Sequence, residues 1–412
     1  MSTIKNTDAQ KPVYAILIAI SVAHLLNDLL QAVIPAIYPK LEAKYHLTFA
    51  QVGMITLCYQ LAASIFQPVV GAYTDKNPKP YSQIFGMLFT MAGITLLAYA
   101  PNYELILVSV VLVGIGSSIF HPESSRVAFM ASNGRRSFAQ SVFQIGGNTG
   151  TALAPLLIAW IVLPNGQLYI LWFLGFAILA QIVLGYIAKW YNDKLKIASR
   201  STKKVIQVPD LSAFKVNSAI TILLVLIFSK YFYVASITSY FQFYIADKFR
   251  STTLSNLTDA EVQIQTQVYL FYFLISVAVG TLLGGIFGDR FGRKYVIWFS
   301  VLGAAPFTLA LPYVDLHLTG ILIVIIGLII SSAFPSILVY AQELLPKKLG
   351  MVSGLFYGFA FGMGGVGSAV LGIWADATSI QYIYHICSFL PLIGVIAYFL
   401  PNMQKVKYKD VE

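Results

Sequence analysis

A chain of 412 residues has room for two or three soluble domains, but 58% of this one is hydrophobic and only 11% charged, where soluble domains carry about 25% charged residues. It is therefore read as an integral membrane protein. The net charge of +10 sits in short loops between apolar runs rather than on one folded basic surface, so it points to membrane topology and not to nucleic acid.

Residues 1–13 have no cleavable signal pattern, and the first apolar run carries His24 and Asp28, unlike a signal-peptide core, so that run is expected to stay as a spanning helix. Runs of about 20 or more mostly apolar residues are long enough to cross a bilayer. They predict twelve spans, near 14–38, 51–73, 82–100, 104–129, 138–163 and 168–190, then 216–245, 267–287, 295–313, 318–341, 350–374 and 380–400. The expected fold is an all-α polytopic membrane protein of two six-helix bundles, 14–190 and 216–400, with a linker over 191–215 and tails at 1–13 and 401–412. An even number of spans puts both termini on one side. Of 27 Lys and Arg residues, 21 fall on the side of the termini and four, Lys40, Lys44, Lys248 and Arg250, on the other, which makes the termini cytoplasmic. The linker basics, Lys194, Lys196, Arg200, Lys203 and Lys204, read as a solvated tether obeying this charge rule, with anionic lipid as the alternative ligand. Cys58 and Cys387 lie far apart inside apolar runs without metal-ligand spacing, so neither a disulfide nor a zinc site is expected.

The two bundles share a repeat. GIFGDRFGRK, Gly285 to Lys294, is echoed 214 residues earlier by GAYTDK, Gly71 to Lys76, each closing an apolar run with a glycine, an acid and a base. Repetition at half-chain length indicates a transporter of two similar bundles rather than a solenoid.

Polar groups within the apolar runs are few. On the first span His24, Asn27, Asp28 and Gln31 recur at spacings of three and four, forming one stripe. Asp28 lies about 22 Å into that span, deep in a hydrocarbon core about 30 Å thick where a carboxylate costs about 3 kcal/mol. The stripe reads either as a static hydrogen-bonded lock or as a proton carrier, Asp28 helped by His24: burial favours a neutral carboxyl and a nearby cation a charged one. Lys230 lies about 21 Å into the seventh span, at similar depth. Tyr231, Tyr233, Tyr240 and Tyr244 nearby are candidate hydrogen-bond donors or packing residues. In the fourth span FHPESSR carries His121, Glu123 and Arg126, expected in its cytoplasmic third; one His beside one Glu lacks the second histidine of a zinc-binding helix, so no metal and no enzyme follow. Glu123, with His121, is a candidate for proton transfer, and Arg126 for pairing with Asp75; Glu343 beside Lys347 and Lys348 is placed to act likewise in the second half.

The repeat resembles the G-x-x-x-D-[RK]-x-G-[RK]-[RK] pattern of the major facilitator superfamily, matched throughout by Gly285, Asp289, Arg290, Gly292, Arg293 and Lys294. The first copy keeps Gly71, Asp75 and Lys76 but has Pro78 in place of the second glycine. A narrower resemblance, to bacterial fosmidomycin-resistance exporters, rests on HLLNDLLQAVIPAIYP (24–39), FHPESSRVA (120–128), FSKYFYVAS (228–236) and ILVYAQELLP (337–346). It implies proton-driven efflux of an anionic phosphonate antibiotic across the bacterial inner membrane, by a monomer in the lipid bilayer without a cofactor. It also implies that the first and seventh spans face one cavity, where Lys230 attracts the anion and pairs with Asp28 when empty, and Asn27, Gln31, Tyr231, Tyr233, Gln144 and Asn148 complete the substrate set. The charges Asp75, Lys76, Asp289, Arg290, Arg293 and Lys294 would then hold the cytoplasmic ends together. Glycines at spacings of four, Gly146 and Gly150 with Ala154, Gly280, Gly284 and Gly288, and Gly354, Gly358 and Gly362, would line the contact between bundles. The stretch from Gly150 to Pro155 is similar to an antiporter motif, with Ala154 replacing its glycine. The alternatives are a proton symporter importing an organophosphonate or sugar phosphate, and a membrane-embedded receptor or enzyme; no Walker A loop is present.

Overall fold

A computed structural model describes residues 13–37, 41, 44–47, 49–162, 165–200 and 206–411. Residues 1–12 of the expected tail, Lys40, Lys203 and Lys204 lie outside the described residues. The first bundle comprises α1 (Tyr14–Ala36), α2 (Phe49–Lys76), α3 (Ser82–Tyr99), α4 (Tyr103–Ala131), α5 (Arg136–Leu157) and α6 (Leu174–Arg200). The second comprises α7 (Ala213–Phe249), α8 (Asp259–Phe291), α9 (Arg293–Leu302, continued by Ala305–Ala310), α10 (Leu316–Ser331, continued by Ala333–Leu344), α11 (Leu349–Ala377) and α12 (Ile380–Cys387, continued by the 3-10 stretch Leu390–Phe399).

Among the described residues eleven helices are long and apolar enough to cross a membrane. The twelfth span is α5, and its weaker hydropathy has a packing cause. Its polar and glycine positions face protein: Gly146 and Gly150 abut the α1 backbone at Ser21 and Leu25, and Ser141 abuts Gly285 of α8. The lipid-facing positions elsewhere are apolar, as with the exposed Ile18, Ile65, Phe85, Trp172 and Ile182. Helix starts are set by local caps: Asn102 accepts from Leu105 N–H for α4, and a reciprocal Thr258 and Glu261 box opens α8. The Thr258 bonds hold the exposed Glu261 carboxyl below the usual carboxylate range.

The face on which α1 begins and the chain ends is called the terminal face below. There the apolar core of the first bundle runs on into Phe334, Ile337 and Tyr340 of α10 and Val352 and Phe356 of α11. A second core, around Tyr233, Phe241, Tyr244 and Tyr384, contains residues of the second bundle alone. The bundles therefore pack together in their terminal halves.

The linker is more than a tether. Helix α6 continues to Arg200, and β1 (Ile206–Pro209) pairs antiparallel with β2 (Tyr408–Val411) of the C-terminal tail, Ile206 opposite Val411 and Pro209 opposite Tyr408. A Lys409 to Asp210 ion pair of 3.0 Å fastens the ribbon.

Candidate functional site

Helix periodicity brings His24 and Asp28 onto one face of α1, with His24 Nε2 3.1 Å from Asp28 Oδ2. Asn27 donates to Asp28 Oδ1 at 3.0 Å, and His121 of α4 places Nε2 3.7 Å from the same oxygen. The two imidazoles are buried, while the Asp28 side chain keeps 17% of its surface. His121 was expected nearer the cytoplasmic end with Arg126, but five residues of helix separate the two, about 7.5 Å of rise, which carries the imidazole up to the depth of Asp28.

The tautomers follow from the backbone. His24 Nδ1 lies 2.8 Å from the Phe143 carbonyl and His121 Nδ1 3.0 Å from the Ser117 carbonyl. A carbonyl only accepts, so each Nδ1 carries a hydrogen and each Nε2 turns to the carboxyl. An ionised Asp28 facing a neutral His24 would set acceptor against acceptor at 3.1 Å, so that contact requires a proton, on the carboxyl or the imidazole. His121 Nε2, buried and without a hydrogen-bond partner, offers a second place for one. Among the described residues these three are the one group of His, Cys, Asp or Glu whose ligand atoms lie within 4.8 Å of one another. A shared proton satisfies the hydrogen-bond-length contact without a metal ion.

Neighbours hold the cluster in place. Phe143 stacks on His24 with centroids 4.0 Å apart. Gly147 leaves the necessary room, since a Cβ there would come within 2.5 Å of Asp28 Oδ2 and the His24 ring. Gln31 accepts from the Tyr59 hydroxyl and from Ser117 Oγ.

Lys230 is not paired with Asp28, contrary to the expectation: the carboxyl is engaged by two histidines reaching it from α1 and α4. The Lys230 side chain is 5% exposed and, among the described residues, has neither ion pair nor hydrogen bond. Its ammonium instead sits 5.3 and 5.4 Å from the ring centroids of Tyr231 and Phe334. A buried cation held only by aromatic faces remains short of a negative charge. Tyr233 belongs to the second core rather than to this cradle; Tyr240 donates to the Ser368 carbonyl and Tyr244 stacks on Tyr384. Gln144 accepts from the Tyr357 hydroxyl at 3.1 Å and Asn148 donates to Thr281 at 3.2 Å, so both link the two bundles here.

At the terminal face the repeat forms two crossed locks. Asp75 accepts from the backbone N–H groups of Gly350 and Met351 at 2.8 and 2.9 Å and from Arg126 at 2.7 Å. Asp289 accepts from Ser137 and Phe138 N–H at 3.1 and 2.9 Å and from Arg293 at 3.1 Å. Each aspartate thus caps the first turn of a helix in the opposite bundle, α11 or α5, where the helix dipole favours an anion. Helix α11 has no side-chain cap of its own. Arg126 also lies 3.5 Å from Glu123 and donates to the Thr74 carbonyl at 2.6 Å, and Glu343 takes Arg136 and Arg293 at 3.2 and 3.1 Å. Tyr408 of the tail joins this second lock: burial pushes its phenol up, Glu343 adds to the shift, and Arg136 and Arg293 oppose it. Lys76 and Arg290 are exposed outside the locks, and Lys294 donates to the Tyr398 carbonyl at 2.7 Å. Between the locks Gln342 donates to Ser125 and Ser353 at 3.1 and 2.9 Å, a buried bridge from α10 to α4 and α11.

The glycine faces divide differently from the expectation. Gly146 and Gly150 pack on α1, and Gly280 and Gly284 on Leu328 and Ser332 of α10, each pair inside its own bundle, while Gly288 meets both Ser336 of α10 and Ser137 of α5 in the opposite bundle. The α11 face crosses between bundles, Gly354 against Gln67 and Gly358 against Ser64, and the α5 to α8 contact is made by Gly285 and Gly288. A four-residue spacing of small residues suits any close helix pair, so spacing alone does not choose the partner.

The model of the Major Facilitator Superfamily matches residues 20–260 and 251–411. The fosmidomycin resistance protein of Escherichia coli (strain K12) is 55% identical over 397 residues, 96% of this chain and 95% of that one. An uncharacterized MFS-type transporter of Bacillus subtilis (strain 168), YfnC, is 44% identical over 409 residues, 98% of each chain. Among solved structures, the human organic anion transporter MFSD10 superposes with a TM-score of 0.73 at 15% identity, over 95% of this chain and all of that one, a likeness in fold.

Proposed function

The chain belongs to the Major Facilitator Superfamily, and on that premise we propose that this membrane transporter is a proton-coupled antiporter exporting fosmidomycin-like anionic small molecules by alternating access. The observation that carries the reading is the buried His24, Asp28 and His121 cluster, whose contacts require one proton and have room for a second. The uncompensated Lys230 supplies the attraction for an anion. The name of the 55% identical relative supplies the cargo class.

In this reading the terminal face is cytoplasmic, in line with the Lys and Arg bias, and the chain works as a monomer in a bacterial inner membrane without a cofactor. The closed locks of Asp75 and Asp289 correspond to the state that faces outward. A proton taken from outside onto the cluster accompanies the outward-facing carrier back; the locks part, the proton leaves to the cytoplasm, and an anion settles against Lys230. Glu123, buried beside Arg126, lies on the route between cluster and cytoplasm. One observation favours a second reading, symport: a cationic cluster and Lys230 both attract the same anion, which couples proton and cargo in one direction.

Flux direction separates the two. Labelled fosmidomycin should accumulate in everted vesicles acidified inside, and expression should raise the resistance of sensitive cells. Accumulation only in right-side-out vesicles acidified outside would overturn export and support symport.

A further inference from the structure

Tyr357 of α11 is the contact between the two halves of this site. Its ring centroid lies 5.2 Å from that of His121 in the proton cluster and 5.0 Å from that of Phe334, the ring over which the Lys230 ammonium sits at 5.4 Å. Its hydroxyl donates across the bundle boundary to Gln144 of α5 at 3.1 Å. Phe143, whose carbonyl fixes the His24 tautomer, packs edge-on to it at 6.3 Å. The side chain is 1% exposed, so it cannot reorient without moving one of these neighbours.

We propose that Tyr357 is a positioning residue that couples the two sites: the protonation state of the cluster, through the His121 ring and the Gln144 bond, sets whether the aromatic cradle of Lys230 can admit the anion. The inference rests on the antiport reading above. An imidazolium at His121 draws the electron-rich face of the tyrosine ring toward it, a neutral imidazole does not. The ring moves against Phe334 on one side and against the Gln144 bond on the other, and separation of the bundles at this depth breaks that same bond. Proton occupancy and bundle contact are thereby read by one side chain. The groups facing His121 are Asp28 and His24 from α1, Ser117 from α4, and Phe361 and Tyr357 from α11.

The test compares the full-length protein with Tyr357→Phe, which keeps the ring and loses the Gln144 bond, and Tyr357→Leu, which loses both. Each is reconstituted in vesicles and read three ways: fosmidomycin affinity at pH 6 and pH 8, fosmidomycin exchange without a pH gradient, and gradient-driven accumulation. Tyr357→Leu should flatten the pH dependence of affinity and lower driven accumulation about tenfold while exchange falls less than threefold; Tyr357→Phe should lower driven accumulation about threefold. Wild-type ratios of driven flux to exchange in both variants would overturn the proposal. An equal fall in exchange and in driven flux would also overturn it, because it would mark Tyr357 as packing alone. Failure of the antiport reading is visible separately, as wild-type protein whose fosmidomycin flux ignores the pH gradient. Tyr357→Phe changes no buried volume beyond the hydroxyl, so it carries the test should Tyr357→Leu not fold.

Discussion

Replacing Asp75 by asparagine should unlock the terminal face. The two bonds from Asp75 to Gly350 and Met351 N–H, 2.8 and 2.9 Å, cross between bundles, whereas its 2.7 Å pair with Arg126 lies within the first bundle and survives opening. Only the crossing bonds count toward the closed state. A hydrogen bond to a charged group contributes about 1.5–3 kcal/mol, and an anion at a helix start adds about 0.3–1 kcal/mol. Asparagine keeps one neutral acceptor, worth about 0.5–1.5 kcal/mol, and turns an NH2 toward the other N–H. The closed state should lose about 3 kcal/mol relative to the open one, roughly a hundredfold in population at tenfold per 1.4 kcal/mol. Spin labels at Lys79 and Lys348, exposed on the terminal face of opposite bundles, report the separation by double electron-electron resonance once Cys58 and Cys387 are replaced. Wild type should give mainly the short distance and Asp75→Asn mainly a longer one. Identical distance distributions would refute the assignment of this carboxylate as an interbundle lock.

Other consequences are equally direct. Lys230→Met should weaken fosmidomycin binding at least tenfold in equilibrium binding, yet raise the unfolding temperature, because removing a buried unpaired cation relieves about 1–3 kcal/mol of desolvation; lower stability would argue that Lys230 is structural. Gly147→Val should cost about 1–3 kcal/mol by overpacking against Asp28 and His24, lowering the unfolding temperature and abolishing transport, while Gly175→Ala, with nothing within 4 Å of its Cβ, leaves both unchanged. Gly354→Val, driven into the Gln67 backbone, should hold the bundles apart on the terminal face and raise labelling of cysteines placed there, with little change in drug-independent stability.

What could be read from the sequence followed how rare each signal is. A carboxylate and two histidines are conspicuous in apolar runs, so Asp28, His24 and His121 stood out, and the repeat displayed Asp75 and Asp289 as a related pair. Their partners did not stand out. Gly350, Met351, Ser137 and Phe138 act through backbone N–H groups that no residue type announces. Tyr357, Phe143 and Phe334 are three among 25 tyrosines and 28 phenylalanines, and only the crossing of α4, α5, α10 and α11 selects them. Direction around a helix was not legible, nor, for His121, was depth along it: read as lying near the cytoplasmic end, its imidazole reaches Asp28 and engages the carboxyl assigned to Lys230. Helix α5 shows the converse. Its polar positions 144 and 148 follow a spacing of four and were picked out, yet the neighbours of its glycines depend on which of two helices lies behind that face. The ribbon of β1 and β2 joins four-residue segments almost 200 residues apart, too short for a periodic signal.

The central claim is that the Asp28 cluster carries the proton exchanged for cargo. Purified protein in vesicles acidified inside, with fosmidomycin added outside, should release protons when the cargo enters, counting only molecules whose terminal face points outward. Asp28→Asn should bind fosmidomycin and abolish that release. Proton release equal to wild type in Asp28→Asn would contradict the account, and so would wild-type protein that moves fosmidomycin with no proton movement at all.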